Sequence, residues 1–373
     1  MPCYIIFTIA LLLLIFQGNP VSHKVLIIGP KPPAIGGIAS IVSLLHTHLS
    51  DIEILDSAKP SDRLAKVVHP IVLMLRILFY CLTHSRCKVL FFSSAYRSFW
   101  EKSCWALIGR LCRAEVFVVM VDGNFPEFYA GISNRKKWLA RYFMTGVTVV
   151  AQSPSWKLFF QGVFPSSKLD TIIGGIDVDF FQPEVNRQSP HILNVLYVGW
   201  IIKEKGVHDI LAACHELKEK VINFKVDLVG PIYCDRVELE QLIKQYQLEN
   251  VVTIVGAIHS REALRAKYSS SDVFLFPSHY EGFPMALLEA LACGLPSIGT
   301  NVGGIPDILD HGNCGLIIES RNPKDISNAL QRLLTDEQLR IELKVKSRER
   351  AVNEFSISSS VGSYKTLLGL AKD

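Results

Sequence analysis

Glu281-Gly-Phe-Pro-Met-Ala-Leu-Leu-Glu289-Ala-Leu-Ala-Cys-Gly294-Leu-Pro296, followed by Gly303-Gly304 and Gly315, sets two carboxylates eight positions apart at the entry to a helix. The run Asp272-Val-Phe-Leu-Phe276, with Pro277 and Ser278 after it, reads as a buried strand opening into a loop. Pro284 fits the first helical position and Gly294 the position just past the helix end. In an open α/β sheet, ligands bind outside the carboxyl ends of the strands, and a helix start there offers free N–H groups to an anion. Glu281 is therefore expected beside a phosphate. Glu289 lies about two turns and ~12 Å further on, at another part of the same ligand.

A nucleotide sugar suits this spacing. Its diphosphate would take the helix start and nearby cations, Glu281 would meet sugar hydroxyls, and Glu289 would accept from ribose hydroxyls as an acid does in dinucleotide sites. An ordinary strand, loop and surface helix can carry two glutamates as well, because Glu is a good helix former. The longer block says more. Glu-x7-Glu, then Ala292-x-Gly294-x-Pro296-x-Ile298, then Gly303-Gly304-x-Pro306-Asp307 resembles the retaining glycosyltransferases of family 4. The resemblance implies a GT-B architecture, in which two doubly wound Rossmann-like domains face each other across a cleft.

Strand and helix patterns on either side fit such a plan. Lys24-Val-Leu-Ile-Ile-Gly29 reads as a strand running into Gly29-Pro30, then the pair Gly36-Gly37 and a helix over Ile38 to Leu49. A glycine pair there lets the backbone approach a phosphate or sugar closely. It is neither a dinucleotide fingerprint nor a P-loop, and it resembles the glycine loop of the same family. Further strands are expected at Val89 to Phe92, Val116 to Val121 and Val147 to Val150. After the polar stretch Gln182 to Pro190 the pattern restarts, with strands at Val195 to Val198, Val226 to Val229, Val252 to Val255, Val273 to Phe276 and Ser297 to Gly299. The expected division is an apolar segment over 1–23, an acceptor domain over 24–183 and a donor domain over 190–355. A last helix, 358–370, would cross back to the first domain as it does in the resembled family.

The resemblance also assigns roles. Gly199-Trp200-Ile-Ile-Lys203-Glu-Lys205-Gly206 is similar to the family's Gly-Arg-Leu-x-x-x-Lys-Gly, whose cations grip the donor diphosphate. Lys205 matches, Trp200 stands where arginine is expected, and Lys203 can supply part of that charge. One lost charge-assisted hydrogen bond is worth roughly 1.5 to 3 kcal/mol, about ten- to hundredfold in rate. Glu281 would orient the donor sugar with the backbone of Gly282, Phe283, Pro284 and Met285, and Glu289 would hold ribose. Val121-Asp122-Gly-Asn-Phe-Pro-Glu-Phe128 resembles a histidine-bearing turn near the reacting sugar; Val121 or Asp122 takes the histidine's place, leaving Asp122 to bond sugar hydroxyls. Thr171-Ile-Ile-Gly174-Gly175-Ile-Asp177 is similar to the family's domain junction and marks the hinge. In the family the leaving phosphate oxygen takes the acceptor's proton, so positioning and charge stabilisation carry catalysis. No Asp-x-Asp metal site stands out, and neither a divalent metal nor a cofactor beyond the nucleotide-sugar substrate is expected.

Composition bounds the partners. At 373 residues the chain exceeds a single core, and its 49% hydrophobic and 20% charged content is that of a globular protein. Residues 1–185 carry 18 Lys/Arg against 12 Asp/Glu, and the rest 21 against 23. A basic first half favours an anionic membrane surface or a phosphorylated acceptor, while so small an excess argues against nucleic acid. Nine cysteines without Cys-x-x-Cys or Cys/His metal spacing point to reduced thiols in a cytosolic compartment. Cys3 to Phe16 is apolar but shorter than the ~20 residues a bilayer span needs. Three readings of it stay open: a membrane-dipping anchor, an additional buried element, or residues upstream of the true start. Leu64 to Leu82, with Pro70 opening a helix, is either a buried helix or a lipid-facing one with Arg63, Lys66 and Arg76 on headgroups. The expected setting is the cytoplasmic face of the inner membrane, with transfer to a lipid-linked or saccharide acceptor in surface polysaccharide assembly. The alternative is a non-catalytic or weakly active protein of the same fold that binds a nucleotide sugar or a partner enzyme.

Overall fold

Twelve strands form two sheets in a computed structural model that describes residues 25–31, 37–58, 63–184, 192–218, 220 and 223–370. The first sheet holds β1 (Val25–Gly29), β2 (Ile52–Asp56), β3 (Lys88–Ser93), β4 (Glu115–Met120), β5 (Thr148–Ala151) and β6 (Lys168–Thr171). The second holds β7 (Leu193–Val198), β8 (Phe224–Val229), β9 (Val252–Gly256), β10 (Val273–Phe276), β11 (Ser297–Thr300) and β12 (Leu316–Ile318). Every pairing is parallel. Parallel sheets need both faces covered, and the strands show it. Leu26, Ile28, Val89, Phe91, Val116 and Val118 enter one core, while their neighbours Val25, Ile27, Leu90, Phe92, Phe117 and Val119 enter the other.

The strand orders are β2-β1-β3-β4-β5-β6 and β12-β11-β10-β7-β8-β9. In the second sheet the chain therefore winds outward in both directions from the β7/β10 seam. That is the topological switch point, where adjacent connections leave on opposite faces and open a crevice at the strands' carboxyl ends. Lys203 and Lys205 follow β7, and Glu281 follows β10, so the two stretches meet over that crevice.

The expected strands stand, and three that the pattern does not announce join them: β2, β6 and β12, each at a sheet edge. The segment expected as a helix buried all round or facing lipid is the helix Arg63–Thr83, with one face in the core through Leu73, Ile77, Tyr80 and Cys81. Pro70 lies inside this helix rather than opening it. It falls in the second turn, where a missing N–H leaves one early carbonyl without its donor. Among the described residues no helix is long and apolar enough to cross a membrane. The segment 1–23, Gly36 and the side chains of Arg63 and Lys66 lie outside the described residues.

Two devices join the halves. Ile176 donates its N–H to the Phe355 carbonyl at 2.7 Å, and Ile357 returns one to Ile176 at 3.1 Å. The helix Ile357–Leu368 then lies on the first domain, with Val361, Tyr364 and Leu368 packed in the core that holds Val25, Ile27 and Val42. Lys88 caps its end by donating to the Leu368 carbonyl at 2.9 Å.

Candidate active site at the domain cleft

The helix Met285–Ala292 begins one residue later than its sequence suggests, because Pro284 has extended backbone angles and serves as the N-cap. Gly294 does take the position after the helix end, at φ +68°. Leu287, Leu288, Ala290, Leu291 and Ala292 of this helix are buried, which fixes its rotation and leaves Met285 and Glu289 on the cleft side.

Lys205 ends the short 3₁₀ turn Lys203–Lys205, whose exit needs Gly206 at φ +77° with a would-be Cβ 2.1 Å from the Pro277 carbonyl. Its Nζ donates to Glu281 Oε1 at 2.5 Å and to the Tyr280 carbonyl at 3.3 Å. The two groups assigned to the diphosphate and the sugar thus neutralise each other across the switch point. Both are mostly sheltered, with side-chain exposures of 23% and 11%. Lys203, by contrast, is exposed. His279 braces the same two loops: its Nε2 lies 2.7 Å from Asp209 Oδ2, and its N–H donates to the Glu204 carbonyl at 2.9 Å.

Trp200 is 56% exposed and meets Tyr233 edge to face with ring centroids 5.5 Å apart. Its backbone is held by the Tyr197 hydroxyl, which donates to the Trp200 carbonyl at 2.7 Å. Burial and the nearby Glu281 charge push the Tyr197 phenol far above its ordinary range, so it stays a donor.

Asp122 belongs to the first domain, and both of its oxygens already accept backbone N–H groups, from Ala95 and from Asn124, each at 2.9 Å. The carboxylate therefore shapes its own turn. That turn carries Gly123 against Glu281, where a Cβ would fall 2.3 Å from the Glu281 backbone. Three further cross-cleft contacts are not announced by any motif. The Trp156 indole donates to the Gly282 carbonyl at 2.9 Å, and Ser155 gives its N–H and hydroxyl to the Asp307 carboxylate at 3.2 and 3.0 Å. The indole bond holds the Glu281 loop from the first-domain side, and Ser155 holds the short helix Ile305–Ile308 next to it. Phe283 is buried over the hinge, edge-on to Phe355.

A cavity of 630 Å³ opens on the hinge side of the cleft, lined by Gly174 to Asp177, the helix Gly37–His48, Met285 and Glu289. Its volume is that of an ordinary small-ligand site. Lys205 and Glu281 lie beyond it, around the helix start. Among the described residues, a Cβ at Gly37 would meet no atom within 4 Å. The triplet Asp177-Val178-Asp179 is an Asp-x-Asp, but Asp177 accepts from Phe180 N–H at 3.0 Å and faces Arg261 at 3.6 Å. Among the described residues no cluster of three or more His, Cys, Asp or Glu could hold a metal.

Residues 181–350 match the family model of the glycosyl transferases group 1. A capsular polysaccharide biosynthesis glycosyltransferase of Staphylococcus aureus is 29% identical over 58% of this chain and 60% of its own length. The N-acetyl-alpha-D-glucosaminyl L-malate synthase of Bacillus anthracis is 31% identical over 55% and 54%. The chain spans about half the length of the curated relatives it matches. Sucrose-phosphate synthase of Thermosynechococcus elongatus superposes with a TM-score of 0.75, at 19% identity over 93% of this chain and 99% of that one. The Anabaena protein HepE, solved in complex with UDP, gives 0.71 at 17% identity over 93% and 100%. At that identity the likeness speaks for the fold alone, which is GT-B. The match to the glycosyl transferases group 1 lies in the second domain.

Proposed function

We propose that the protein is a metal-independent retaining glycosyltransferase that moves a sugar from a nucleoside diphosphate sugar to a lipid-linked or oligosaccharide acceptor in bacterial surface polysaccharide biosynthesis. The observation that carries this reading is the Lys205–Glu281 pair, seated at the β7/β10 switch point beside the start of the helix Met285–Ala292. An arriving diphosphate takes Lys205 and the helix N–H groups, which frees Glu281 for the sugar's hydroxyls. Glu289, about one turn into that helix, accepts from ribose. Gly37 leaves open room for the substrate's approach from the first domain, and Asp122 shapes the turn that sets Gly123 against Glu281. The leaving phosphate oxygen takes the acceptor's proton on the face where the acceptor attacks, so the site's work is alignment and charge stabilisation. Label from a radioactive nucleotide sugar should pass into a lipid extract of a polysaccharide-producing bacterium. Binding of donor without transfer, native membranes included, would favour the non-catalytic alternative.

The acceptor side supports a peripheral membrane setting. Val68, Ile71, Leu75, Phe79 and Leu82 are exposed at helical spacing along the helix Arg63–Thr83. Trp138 and Tyr142 stack at 5.7 Å on the outer side of the helix Asn134–Met144, which also carries Arg135, Lys136, Lys137 and Arg141. Both helices flank the helix Arg97–Leu111 on one face of the first sheet. Apolar and aromatic side chains among cations are what an anionic lipid interface retains. The protein should co-sediment with phosphatidylglycerol-containing vesicles, and Phe79→Asp with Leu82→Asp should cut that binding at least tenfold. Vesicle binding unaffected by the pair of substitutions would exclude this face.

A further inference from the structure

Tyr268 is fully buried in the helix Arg261–Ser269, packed on Phe181 and Phe274, and its hydroxyl reaches two acceptors. Glu289 Oε2 lies 2.8 Å away and the Ala286 carbonyl 3.2 Å away. A phenol has one proton to give. When Glu289 is ionised the proton goes to the carboxylate. When Glu289 is protonated, its own O–H donates to the Tyr268 oxygen, and the phenol turns to Ala286. The pair thus has two hydrogen-bonded arrangements that differ by one proton on Glu289. The ionised one presents a charged carboxylate to the ribose hydroxyls, and hydrogen bonds to a charged acceptor are roughly twice as strong as those to the carbonyl oxygen of the protonated form.

We propose that Tyr268 is a positioning residue for the ribose subsite, holding Glu289 in the ionised, accepting arrangement, and that donor binding is therefore coupled to release of a proton from Glu289. The inference rests on the ribose role of Glu289 given above. Burial pushes the Glu289 carboxyl up to about 7, opposed by the Tyr268 hydrogen bond and by the charge of Arg261. Arg261 is shared, since it pairs with Asp177 at 3.6 Å and lies over the Phe180 ring. On the Glu289 helix, Cys293 is a thiol pushed by burial up to about 12, with Arg265 and Arg348 beside it. Arg348, on the helix Glu337–Glu354, gives its Nη1 to the carbonyls of Val178, Phe181 and Ala292. From the first domain, His48 and Tyr364 line the same cavity, and the Tyr364 phenol is raised by burial.

A carboxyl that must lose its proton for the ligand to bind gives an affinity that falls as pH drops through its pKa in the free protein. With a midpoint near 7, the affinity should weaken about tenfold from pH 8 to pH 6. UDP-glucose and GDP-mannose are suitable probes, because a diphosphate diester has no proton to exchange in this range. Calorimetric titration of the full chain should show that tenfold change in the wild type and none in Glu289→Gln; dependence that persists in Glu289→Gln would belong to another group and would overturn the proposal. Tyr268→Phe keeps the ring and its packing but removes the donor to the carboxylate, so the midpoint should move to higher pH. Infrared difference spectra of free wild type against free Glu289→Gln follow the protonated carboxyl without any ligand, and should report the same midpoint and the same upward move in Tyr268→Phe. Donor binding with no pH dependence, or an infrared midpoint unmoved by Tyr268→Phe, would overturn the proposal and leave the nucleotide-sugar reading intact. No binding of any nucleotide sugar alongside a normal infrared titration would overturn the nucleotide-sugar reading and this inference with it.

Discussion

Glu281→Ala should lower kcat/KM about 10²- to 10³-fold, the scale expected for removing one preorganised polar group from a transition-state site. Nucleoside diphosphate affinity should hold or rise in the same variant. Lys205 donates to Glu281 at 2.5 Å, so deleting the carboxylate frees the ammonium for phosphate oxygens. Lys205→Ala should behave differently, losing turnover and diphosphate affinity together, because the cation proposed to meet the phosphates is gone and a sheltered carboxylate is left without its partner. Lys203→Ala should cost less, since Lys203 is exposed. Steady-state rates combined with calorimetry of UDP and GDP separate these outcomes. Equal loss of diphosphate affinity in Glu281→Ala and Lys205→Ala would end the division of roles.

Gly303→Ala should be among the most destabilising single changes in the second domain. Gly303 sits at φ +57°, and its added Cβ would fall 1.8 Å from the Glu281 carbonyl, a backbone atom that cannot swing away. Left-handed backbone costs a non-glycine residue roughly 1–2 kcal/mol, and forced overpacking a further 1–3. A loss of about 2–5 kcal/mol in chemical denaturation is expected. The neighbouring Gly304 donates its N–H to the Gly282 carbonyl at 2.8 Å, so donor binding should fail with stability. A variant of unchanged stability and affinity would mean that the Glu281 loop relaxes at no cost.

The legible parts of this chain are those whose physics is local. Val273 to Phe276 is apolar at every position because a central parallel strand is buried on both faces, and Gly294 announces a left-handed turn. β2 and β6 escape such a reading because edge strands are half solvated: Ile52-Glu-Ile-Leu-Asp56 and Lys168-Leu-Asp-Thr171 mix charge with apolar residues. The candidate site divides in the same way. Glu281, Glu289 and Lys205 stand in motifs, whereas Trp156, Ser155 and Tyr268 reach their partners 126, 152 and 21 residues away. Nothing in a window around Trp156 signals an indole aimed at the Gly282 carbonyl. The helix Arg63–Thr83 shows a subtler limit, since its composition is apolar nearly all round and only the sheet beneath it decides which face is covered.

The central claim is that this cleft turns over a nucleoside diphosphate sugar. Its most direct test is nucleoside diphosphate release by the full chain across a panel of nucleotide sugars, with and without lipid extract, in wild type and Lys205→Ala. The account predicts release from at least one donor that is stimulated by the extract and lost, by tenfold or more, in Lys205→Ala. Donor hydrolysis or transfer that survives Lys205→Ala unchanged, or no release from any donor even with extract, would contradict it.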